Sequence, residues 1–397
     1  MASSPSPLRT AFAGFIAMAA VIGIGRFVYT PILPYMADVV PLSENQAGLI
    51  AASNFLGYLI GSLLAGTGLL SGNRRSWVLW ALAFSVATTG AMALTVSVPA
   101  FAVLRFAGGV CSALVMVFGS ALVFDRLTVA GRPTLSHIHF AGVGTGMAAS
   151  AVIVAALGSV AVGWADQWLA SAAVGGIALI LVIVLLPSGD GDTAPPATGG
   201  RSKIDRRMIP LTLSYGLFGF GYVITATFIS VMVHQTPSIA SIESVIWLIV
   251  GLAAIPSVAL WAWIGRRLGN QTSIALACIV EAVGVAATVL FDSAAAVLAG
   301  GALLGGTFMG ITAVGMTTAR ELALSSSEGG DPRRLLGLIV AAFGAGQMIG
   351  PAYGGYVAEI TGSFTIPSLT ASAALVLAAG LAMLVRVDFV SGNSRKR

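Results

Sequence analysis

Three charged side chains lie inside long apolar stretches of the sequence. Arg26 follows the tripeptide GIG, Arg105 stands in LRFAGG, and Glu281 stands in ACIVEAVG. A charge at the centre of an apolar span costs about 2.5 to 3.5 kcal/mol on insertion scales, so such residues usually face a cavity or a partner. The two arginines are suited to attracting an anion, and the carboxyl is suited to binding and releasing a proton.

Arg26 is the foremost candidate for contact with a substrate. Pro31 and Pro34 follow it, and proline removes a backbone donor and disrupts the helical turn before it. One interpretation is that Arg26 binds an anionic group such as a carboxylate. The alternative is that it binds freed backbone carbonyls and stiffens a bent helix. Tyr29 and Thr30 follow within one turn and are expected to share its surroundings.

Arg105 either lines the same cavity as Arg26 or anchors the helix at the membrane interface. Helix ends excluded, the apolar runs of the N-terminal half contain no carboxylate. Two arginines without a neutralising acid would make a cavity positive, which favours an anion over a lipophilic cation.

Glu281, His137 and His139 are the candidates for proton coupling. The i, i+2 spacing of the histidines places them on different helix faces and argues against a shared metal.

The composition is that of an integral membrane protein. Of 397 residues, 57% are hydrophobic and 9% are charged, whereas soluble domains carry about 25% charged residues. A helix needs about 20 apolar residues to cross the hydrocarbon core. Twelve apolar runs meet that length, so the sequence predicts twelve transmembrane helices. They are 10–36, 45–70, 76–96, 99–125, 133–160, 163–187, 208–235, 242–265, 271–291, 294–319, 334–360 and 363–386.

The distribution of basic residues predicts the orientation. With twelve spans and a cytoplasmic N-terminus, all 20 lysines and arginines except Arg26 and Arg105 fall in cytoplasmic segments. This pattern obeys the positive-inside rule and places both termini in the cytoplasm. It also explains the basic character of the chain without nucleic acid as a partner.

Several functions are excluded by missing motifs. A Walker A loop requires Gly-Lys-Ser/Thr, but Lys203 and Lys396 follow Ser202 and Arg395. The sequence contains no HExxH and no CxxC, and both cysteines lie in apolar runs. We therefore expect no metal, no cofactor and no enzymatic activity. Any transport would draw on a gradient.

The longest polar stretch divides the chain into a predicted N-terminal six-helix bundle (1–187), a cytoplasmic linker (188–206) and a C-terminal six-helix bundle (207–397). GIGRFVYT at 23–30 aligns with GFGYVITA at 219–226 at an offset of 196. A repeated half predicts a site between the halves near mid-depth. Tyr222 is the repeat counterpart of Arg26 and is a second cavity candidate. Asn54 and Gln347 are buried amides that either line the cavity or hold helices together.

The sequence resembles the major facilitator superfamily over essentially its whole length. Its most specific piece is GQMIGPAYGG at 346–355, in which Gly346, Gly350, Pro351, Gly354 and Gly355 match the family's GxxxGPxxGG pattern. GIGRFVYTPILPYM at 23–36 further resembles the YbfB/YjiJ group. This resemblance implies an all-α fold of two pseudo-symmetric six-helix bundles, transport by alternating access, a monomer, and a location in the bacterial cytoplasmic (inner) membrane. The glycine stripe suits close helix packing at an interface that rocks.

Charged residues near the cytoplasmic ends of the spans are candidates for a gate. We expect Asp125 to pair with Arg74 or Arg75, and Glu321 to pair with Arg266 or Arg267. The alternative is that they are ordinary interfacial charges. His234 ends a span on the opposite side and is interpreted as solvated.

Together these features predict a secondary active transporter of a small organic anion or amphiphilic metabolite. The partners are the substrate, the lipid bilayer and, through Glu281, His137 or His139, protons. Two alternatives stay open at this point. One is multidrug-type efflux of hydrophobic compounds, with Arg26 purely structural. The other is a membrane sensor that uses the same fold without transporting.

Overall fold

The computed structural model describes residues 6–385 apart from 68, 71, 187, 189–205, 207 and 326–331. Within these residues, twelve helices are long and apolar enough to cross a membrane. They are α1 (Pro7–Ala37), α2 (Glu44–Gly66), α3 (Arg74–Leu94), α4 (Val98–Val129), α5 (Pro133–Gly158), α6 (Trp164–Leu185), α7 (Met208–His234), α8 (Ala240–Leu268), α9 (Asn270–Leu290), α10 (Ala294–Leu322), α11 (Leu336–Thr361) and α12 (Thr365–Met383).

These helices confirm the twelve predicted spans, with ends that differ by a few residues. Local signals explain several of the ends. Ser43 and Gln46 form a capping box at the start of α2, in which each side chain satisfies a free backbone N–H. Gly269 joins α8 directly to α9 with a φ of 89°, a conformation that glycine adopts without steric cost. Apart from Ser188 and Arg206, the predicted linker 188–206 lies outside the described residues, as does Lys396.

The helices form two bundles, α1–α6 and α7–α12. In the first bundle α1 packs against α5 and α6, and α4 packs against α2 and α3. In the second bundle α7 packs against α11 and α12, and α10 packs against α8 and α9. The same pairing recurs at equivalent positions, which is the pseudo-symmetry that the repeated sequence predicts.

Apolar side chains on the outer surface of the bundles identify the lipid-facing sides. On α6, Ile177, Ile180 and Val184 are 60%, 62% and 60% exposed and recur at helical spacing. Such a stripe would be unfavourable in water but is ordinary against lipid tails. The polar side chains that are fully buried instead face other helices.

The two ends of the molecule differ in charge, and we name them by it. The end that we call the acidic face carries Asp38, Glu44, Asp166, Glu243, Asp292 and Glu359. The end that we call the basic face carries Arg9, Arg74, Arg75, Arg126, Arg132, Arg266, Arg267 and Arg320.

The bundles are held together from the acidic face to mid-depth. At the acidic face, the Asn45 backbone N–H donates to Glu359 over 3.0 Å, and Gln235 donates to Glu44 over 3.3 Å. Deeper in the molecule, the Trp247 indole N–H donates to the Ser150 hydroxyl over 3.2 Å. The described hydrogen bonds between the bundles all lie in this portion. This conformation is therefore closed on the acidic face.

Glycines allow the closest approaches between bundles. A Cβ on Gly48 would lie 2.2 Å from the Pro351 carbonyl oxygen, and one on Gly355 would lie 2.2 Å from the Glu44 carbonyl oxygen. Farther toward the basic face on α11, a Cβ on Gly337 would meet nothing within 4 Å.

The predicted glycine stripe of α11 divides between two interfaces. Gly346, Gly350 and Gly354 pack against α7 in their own bundle; a Cβ on Gly346 would lie 2.1 Å from the Gly216 carbonyl oxygen. Pro351 and Gly355 face α2 in the other bundle. Only Pro351 and Gly355 lie at the interface between the bundles. The stripe of Gly346, Gly350 and Gly354 therefore serves helix packing within the C-terminal bundle.

Candidate substrate-binding site

Arg26 lies at a break in α1. Ala19–Ile24 form a π-helical turn, and the α-helix resumes at Tyr29. Pro31 has no N–H with which to continue the hydrogen-bond ladder, which accounts for the irregular turn before it. The break aims the Arg26 side chain into the protein at mid-span, where it is 5% exposed.

The Arg26 guanidinium lies between aromatic faces and keeps free donors. Its carbon is 3.9 Å from the Tyr58 ring centroid and 5.2 Å from that of Phe55, both on α2. These are cation–π distances. Its Nε and Nη2 atoms are buried and have no hydrogen-bond partner among the described residues. A buried guanidinium with two unpaired donors is a favourable site for an anion.

The second bundle contributes Tyr222 and Gln347. The Tyr222 hydroxyl interacts electrostatically with the Arg26 charge, and it accepts a hydrogen bond from Nε2 of Gln347. Tyr222 is 2% exposed and Gln347 is fully buried. We call Arg26, Tyr58, Tyr222 and Gln347 the central cluster. It lies where α1 and α2 of one bundle meet α7 and α11 of the other.

Aromatic rings form a wall beside the central cluster. The Tyr222 ring is nearly parallel to the rings of Phe308 and Phe343, at centroid distances of 5.5 Å and 6.1 Å. Phe27 extends from the other bundle and meets Phe308 edge to face at 6.2 Å. The wall therefore continues across the interface. It offers an apolar surface next to one positive charge.

Arg105 does not extend into the space around Arg26. Its Nη1 and Nη2 atoms donate to the backbone carbonyls of Gly25 and Arg26, over 2.9 Å and 2.6 Å. These carbonyls belong to the break in α1. Arg105 thus satisfies the backbone of the turn that carries Arg26, which is a positioning contact.

Three further predicted residues hold helices in place. The Tyr29 hydroxyl donates to the Ala47 carbonyl over 2.9 Å, within the first bundle. The Asn54 amide donates to the Arg105 carbonyl over 2.7 Å, which joins α2 to α4. Thr30 instead crosses the interface, because its hydroxyl donates to the Ala226 carbonyl over 2.8 Å.

The three candidates for proton coupling lie apart. His139 is fully buried on α5, and its Nε2 is 2.9 Å from the Ser120 hydroxyl. His137 lies toward the basic face and interacts electrostatically with Arg266 of the other bundle. Glu281 is fully buried on α9, inside the second bundle and not against lipid.

On the basic face the predicted pairs form only in part. Arg74 and Asp125 make a 2.6 Å ion pair within the first bundle. Arg75 instead donates to the backbone carbonyls of Leu186 and Ile183, which cap the end of α6. Glu321 accepts from Asn270 over 3.2 Å, and the Arg267 guanidinium stacks on Trp263 at 5.1 Å. The ion pair between Arg74 and Asp125 thus lies within one bundle.

Sequence reasoning missed two groups. Tyr58 carries no pattern that separates it from other aromatic residues of a span, although it follows Asn54 by one helical turn. His234 is not simply solvated: its Nδ1 is 2.8 Å from Glu243, and its Nε2 is 3.4 Å from Asp38 of the other bundle. The surplus of carboxylates on the acidic face was the available signal.

The sequence matches a family described as the uncharacterised MFS-type transporter YbfB over residues 18–383. Two proteins of Bacillus subtilis (strain 168), both uncharacterized MFS-type transporters, are similar. YceJ is 32% identical over 101 residues, 25% of this chain and 26% of that protein. YbcL is 24% identical over 261 residues, 64% of this chain and 63% of that protein. The matches thus span less than two thirds of either relative.

The fold is that of solved transporters. A mutant of the nucleoside transporter NupG superposes with a TM-score of 0.74 at 14% identity, covering 96% of this chain and 99% of that one. A second NupG structure gives a TM-score of 0.69 at 15% identity with the same coverage. Because the family match covers residues 18–383 and the twelve-helix fold agrees, the chain belongs to the YbfB-type family of MFS transporters.

Proposed function

We propose that this transporter moves a small organic anion, which binds at the central cluster. The observation that carries the proposal is the Arg26 guanidinium: it is 5% exposed, two of its nitrogen atoms have no partner among the described residues, and it lies where the two bundles meet. A carboxylate can accept two parallel hydrogen bonds from a guanidinium, so it is the anionic group that fits Arg26 best.

The surroundings of Arg26 favour an anion that also has an apolar body. No carboxylate on α1 or α2 neutralises the guanidinium, since α1 contains no acid and the one acid of α2, Glu44, lies at the acidic face. The rings of Tyr222, Phe308 and Phe343 supply an apolar wall. The Tyr222 hydroxyl already accepts from Gln347, so its own proton is free to be donated.

We further propose transport by alternating access, with the basic face in the cytoplasm of a bacterial inner membrane. The basic residues at that face agree with the positive-inside rule. In this orientation the described conformation is closed to the outside, and the bundles would rock about the α2–α11 and α5–α8 contacts. Since one chain supplies both bundles and the whole cluster, we expect the monomer to be the transporting unit.

Thermal stability in detergent tests the substrate class. The probes are benzoate, lactate, succinate and benzenesulfonate as anions, and tetraphenylphosphonium as a cation. A ligand at 100 times its Kd stabilises the folded state by about 2.7 kcal/mol. We expect at least one anion to stabilise the wild type and not Arg26→Gln. Arg132→Gln is the matched control, because it removes an exposed arginine of the basic face.

A second candidate function is efflux of hydrophobic compounds. It is favoured by the aromatic wall and by the two rings that already flank the Arg26 guanidinium. In this case the cation–π contacts alone stabilise the buried Arg26 charge, and the role of Arg26 is structural. Stabilisation of wild type and Arg26→Gln alike by tetraphenylphosphonium, with no response to any anion, would establish this candidate and reject the anion proposal.

A further inference from the structure

Gln347 on α11 is a buried amide with only one of its two ends occupied. Its Nε2 atom donates to the Tyr222 hydroxyl. Its Oε1 atom is buried and has no hydrogen-bond partner among the described residues, and the whole side chain is excluded from solvent. A buried carbonyl oxygen without a donor costs free energy, so such an oxygen in a candidate site indicates a missing partner.

The position of Gln347 on α11 places it between the bundles. Two neighbours on its helix mark the side that meets α2. A Cβ on Gly344 would lie 3.0 Å from Cδ1 of Leu59, and a Cβ on Gly48 would lie 2.2 Å from the Pro351 carbonyl oxygen. Gln347 comes three residues after Gly344 and four residues before Pro351, so it shares their face of the helix. It therefore lies opposite the part of α2 between Gly48 and Leu59.

That part of α2 carries the two rings that flank Arg26. The Arg26 guanidinium carbon lies 5.2 Å from the Phe55 ring centroid and 3.9 Å from that of Tyr58. The free donors of Arg26 and the free acceptor of Gln347 thus approach the same part of α2 from different bundles.

A chain of side-chain contacts also joins Gln347 to the turn that carries Arg26. Gln347 bonds to Tyr222, and the Tyr222 ring is stacked on the Phe308 ring at 5.5 Å. The Phe308 ring meets that of Phe27 at 6.2 Å, and Phe27 directly follows Arg26. The amide and the guanidinium therefore belong to one site by contact as well as by position.

The two free groups require different partners on a ligand. The guanidinium of Arg26 contains donors only and requires an acceptor such as a carboxylate. The Oε1 atom of Gln347 requires a donor, which a carboxylate does not have, and no nitrogen of Arg26 donates to it in the described conformation. An ammonium donor would be repelled by the Arg26 charge. A hydroxyl is a donor that avoids this repulsion.

We propose that the transported anion is a hydroxycarboxylate with an apolar body, and that Gln347 selects it by accepting a hydrogen bond from its hydroxyl. This inference rests on the proposed anion site and narrows its substrate class. Arg26 binds the carboxylate, Gln347 binds the hydroxyl, and the Phe308 ring packs against the apolar body. A site with a buried acceptor for a hydroxyl discriminates against the analogue that lacks it, because the acceptor is then left unpaired.

Calorimetric titration of the purified wild type with matched ligands tests the selection. Phenylacetate, mandelate and 3-hydroxyphenylacetate share a ring and a carboxylate, and the last two add one hydroxyl, beside the carboxylate or on the ring. One hydrogen bond corresponds to about a tenfold difference in Kd, so we expect at least one hydroxylated ligand to bind about tenfold more tightly than phenylacetate. Equal binding of all three would mean that water alone occupies Oε1 of Gln347. That result would overturn this inference and leave the anion site standing.

Gln347→Met assigns the selection to the amide, since it approximately keeps the volume of the side chain and removes the acceptor. This variant should bind the hydroxylated ligand no more tightly than phenylacetate, and its affinity for phenylacetate should equal that of the wild type. The ratio of the two Kd values within one protein is not altered by a general loss of stability. A tenfold ratio that persists in Gln347→Met would overturn the role of Gln347.

Gln167→Met is the matched control. Gln167 on α6 is fully buried, and its Oε1 atom likewise has no partner among the described residues. Its Nε2 atom donates to the Val162 carbonyl over 3.2 Å, at the acidic end of α6 and away from the central cluster. The control should keep the tenfold ratio. Loss of the ratio in this variant as well would show that the selection depends on general packing, and would overturn its assignment to Gln347.

Tyr222→Phe tests the same point if Gln347→Met does not fold. It keeps Gln347 and removes the hydroxyl that orients the amide, so it should lower the ratio without abolishing it. An undiminished ratio in Tyr222→Phe would contradict the selection by an oriented amide.

Arg26→Gln separates failure of this inference from failure of the proposed function. This variant should lose affinity for phenylacetate and for the hydroxylated ligands alike, because all of them need the guanidinium. Absence of binding of every carboxylate to the wild type would overturn the proposed function, and the selection by Gln347 with it.

Discussion

Thr30 donates a hydrogen bond of 2.8 Å to the backbone carbonyl of Ala226, the residue 196 positions later in the chain. The alignment of the two halves pairs these same residues. Two points related by a twofold rotation are equally far from the axis, so they touch only near the axis itself. The contact therefore locates the pseudo-twofold axis between α1 and α7. Arg26 and its counterpart Tyr222 lie one helical turn away along the same pair of helices.

Thr30→Val is expected to loosen the closure of the acidic face. It keeps the shape of the side chain and removes the donor to Ala226. One hydrogen bond contributes about 0.5 to 1.5 kcal/mol, which corresponds to a change of about two- to twelvefold in the equilibrium between the closed and open states. Spin labels at Val39→Cys and Ser238→Cys report this closure, because the two exposed positions lie on opposite bundles at the acidic face.

The label distance should lengthen on average in Thr30→Val relative to the labelled parent. The native cysteines Cys111 and Cys278 are buried and should remain unlabelled. Ser53→Ala is a matched control, since it removes an exposed hydroxyl whose bond stays within α2. An unchanged distance distribution in Thr30→Val would show that this bond does not hold the face closed.

Arg105 is expected to control anion binding without touching the anion. Its two donors hold the carbonyls of Gly25 and Arg26, and hydrogen bonds from a charged group contribute about 1.5 to 3 kcal/mol. Arg105→Gln should lower the melting temperature and weaken anion binding about tenfold. Arg105→Lys should keep part of the stability, because an ammonium reaches one carbonyl but lacks the planar fork.

The comparison of Arg105→Gln with Arg26→Gln separates positioning from binding. Loss of Arg26 removes the anion's partner, whereas loss of Arg105 only frees the turn that carries it. Raising the anion concentration should therefore restore transport in Arg105→Gln and not in Arg26→Gln. If neither stability nor affinity changed in Arg105→Gln, the contact to the α1 backbone would have no positioning role.

Two glycines of α11 should respond differently to the same substitution. A Cβ on Gly355 would meet the Glu44 carbonyl at 2.2 Å, across the interface between bundles. A Cβ on Gly346 would meet the Gly216 carbonyl at 2.1 Å, inside the C-terminal bundle. Gly355→Ala should lengthen the label distance on the acidic face with little loss of stability. Gly346→Ala should lower the melting temperature.

Gly337→Ala is the control for both, since a Cβ there meets nothing within 4 Å. It should change neither the label distance nor, beyond the ordinary effect of alanine in a helix, the stability. A loss of stability in Gly355→Ala with an unchanged label distance would mean that the α2–α11 contact is rigid and does not open.

The sequence predicts the number and arrangement of the helices better than it predicts their polar contacts. Twelve spans and a repeated half follow from apolar run length and a constant offset, which depend on the thickness of the bilayer and on chain geometry. Arg26 is recognised as a candidate binding residue because burying a charge in an apolar span costs free energy. These arguments need no knowledge of which atoms meet.

The polar contacts depend on local geometry that no residue pattern encodes. Arg105 and Arg26 look alike as buried arginines, yet the π-helical turn of α1 presents carbonyls to Arg105. In the sequence, nothing distinguishes Tyr58 from other aromatic residues. Only the structure shows that the guanidinium of Arg26 lies on its ring. The roles of Arg26, Tyr222 and Gln347 in substrate binding remain predictions that the experiments above decide.

His234 is expected to make closure of the acidic face depend on pH. Its two ring nitrogens lie 3.4 Å from Asp38 of the first bundle and 2.8 Å from Glu243 of the second. Histidine ordinarily titrates near pH 6.5, and only the imidazolium donates from both nitrogens. Acidification on this face should therefore strengthen the bridge and shorten the label distance. At alkaline pH the bridge weakens and the face opens more readily.

His234→Gln should abolish most of this pH response and keep one neutral hydrogen bond. Asp38→Asn should remove the ionic part of the contact between bundles while His234 retains Glu243. Asp166→Asn, which alters another acid of the same face, is the control. The measurement is the distance between labels at Val39→Cys and Ser238→Cys from pH 5 to pH 8. A wild type whose distance is constant over that range would show that His234 does not govern closure. A response that survives in His234→Gln would assign the effect to the carboxylates instead.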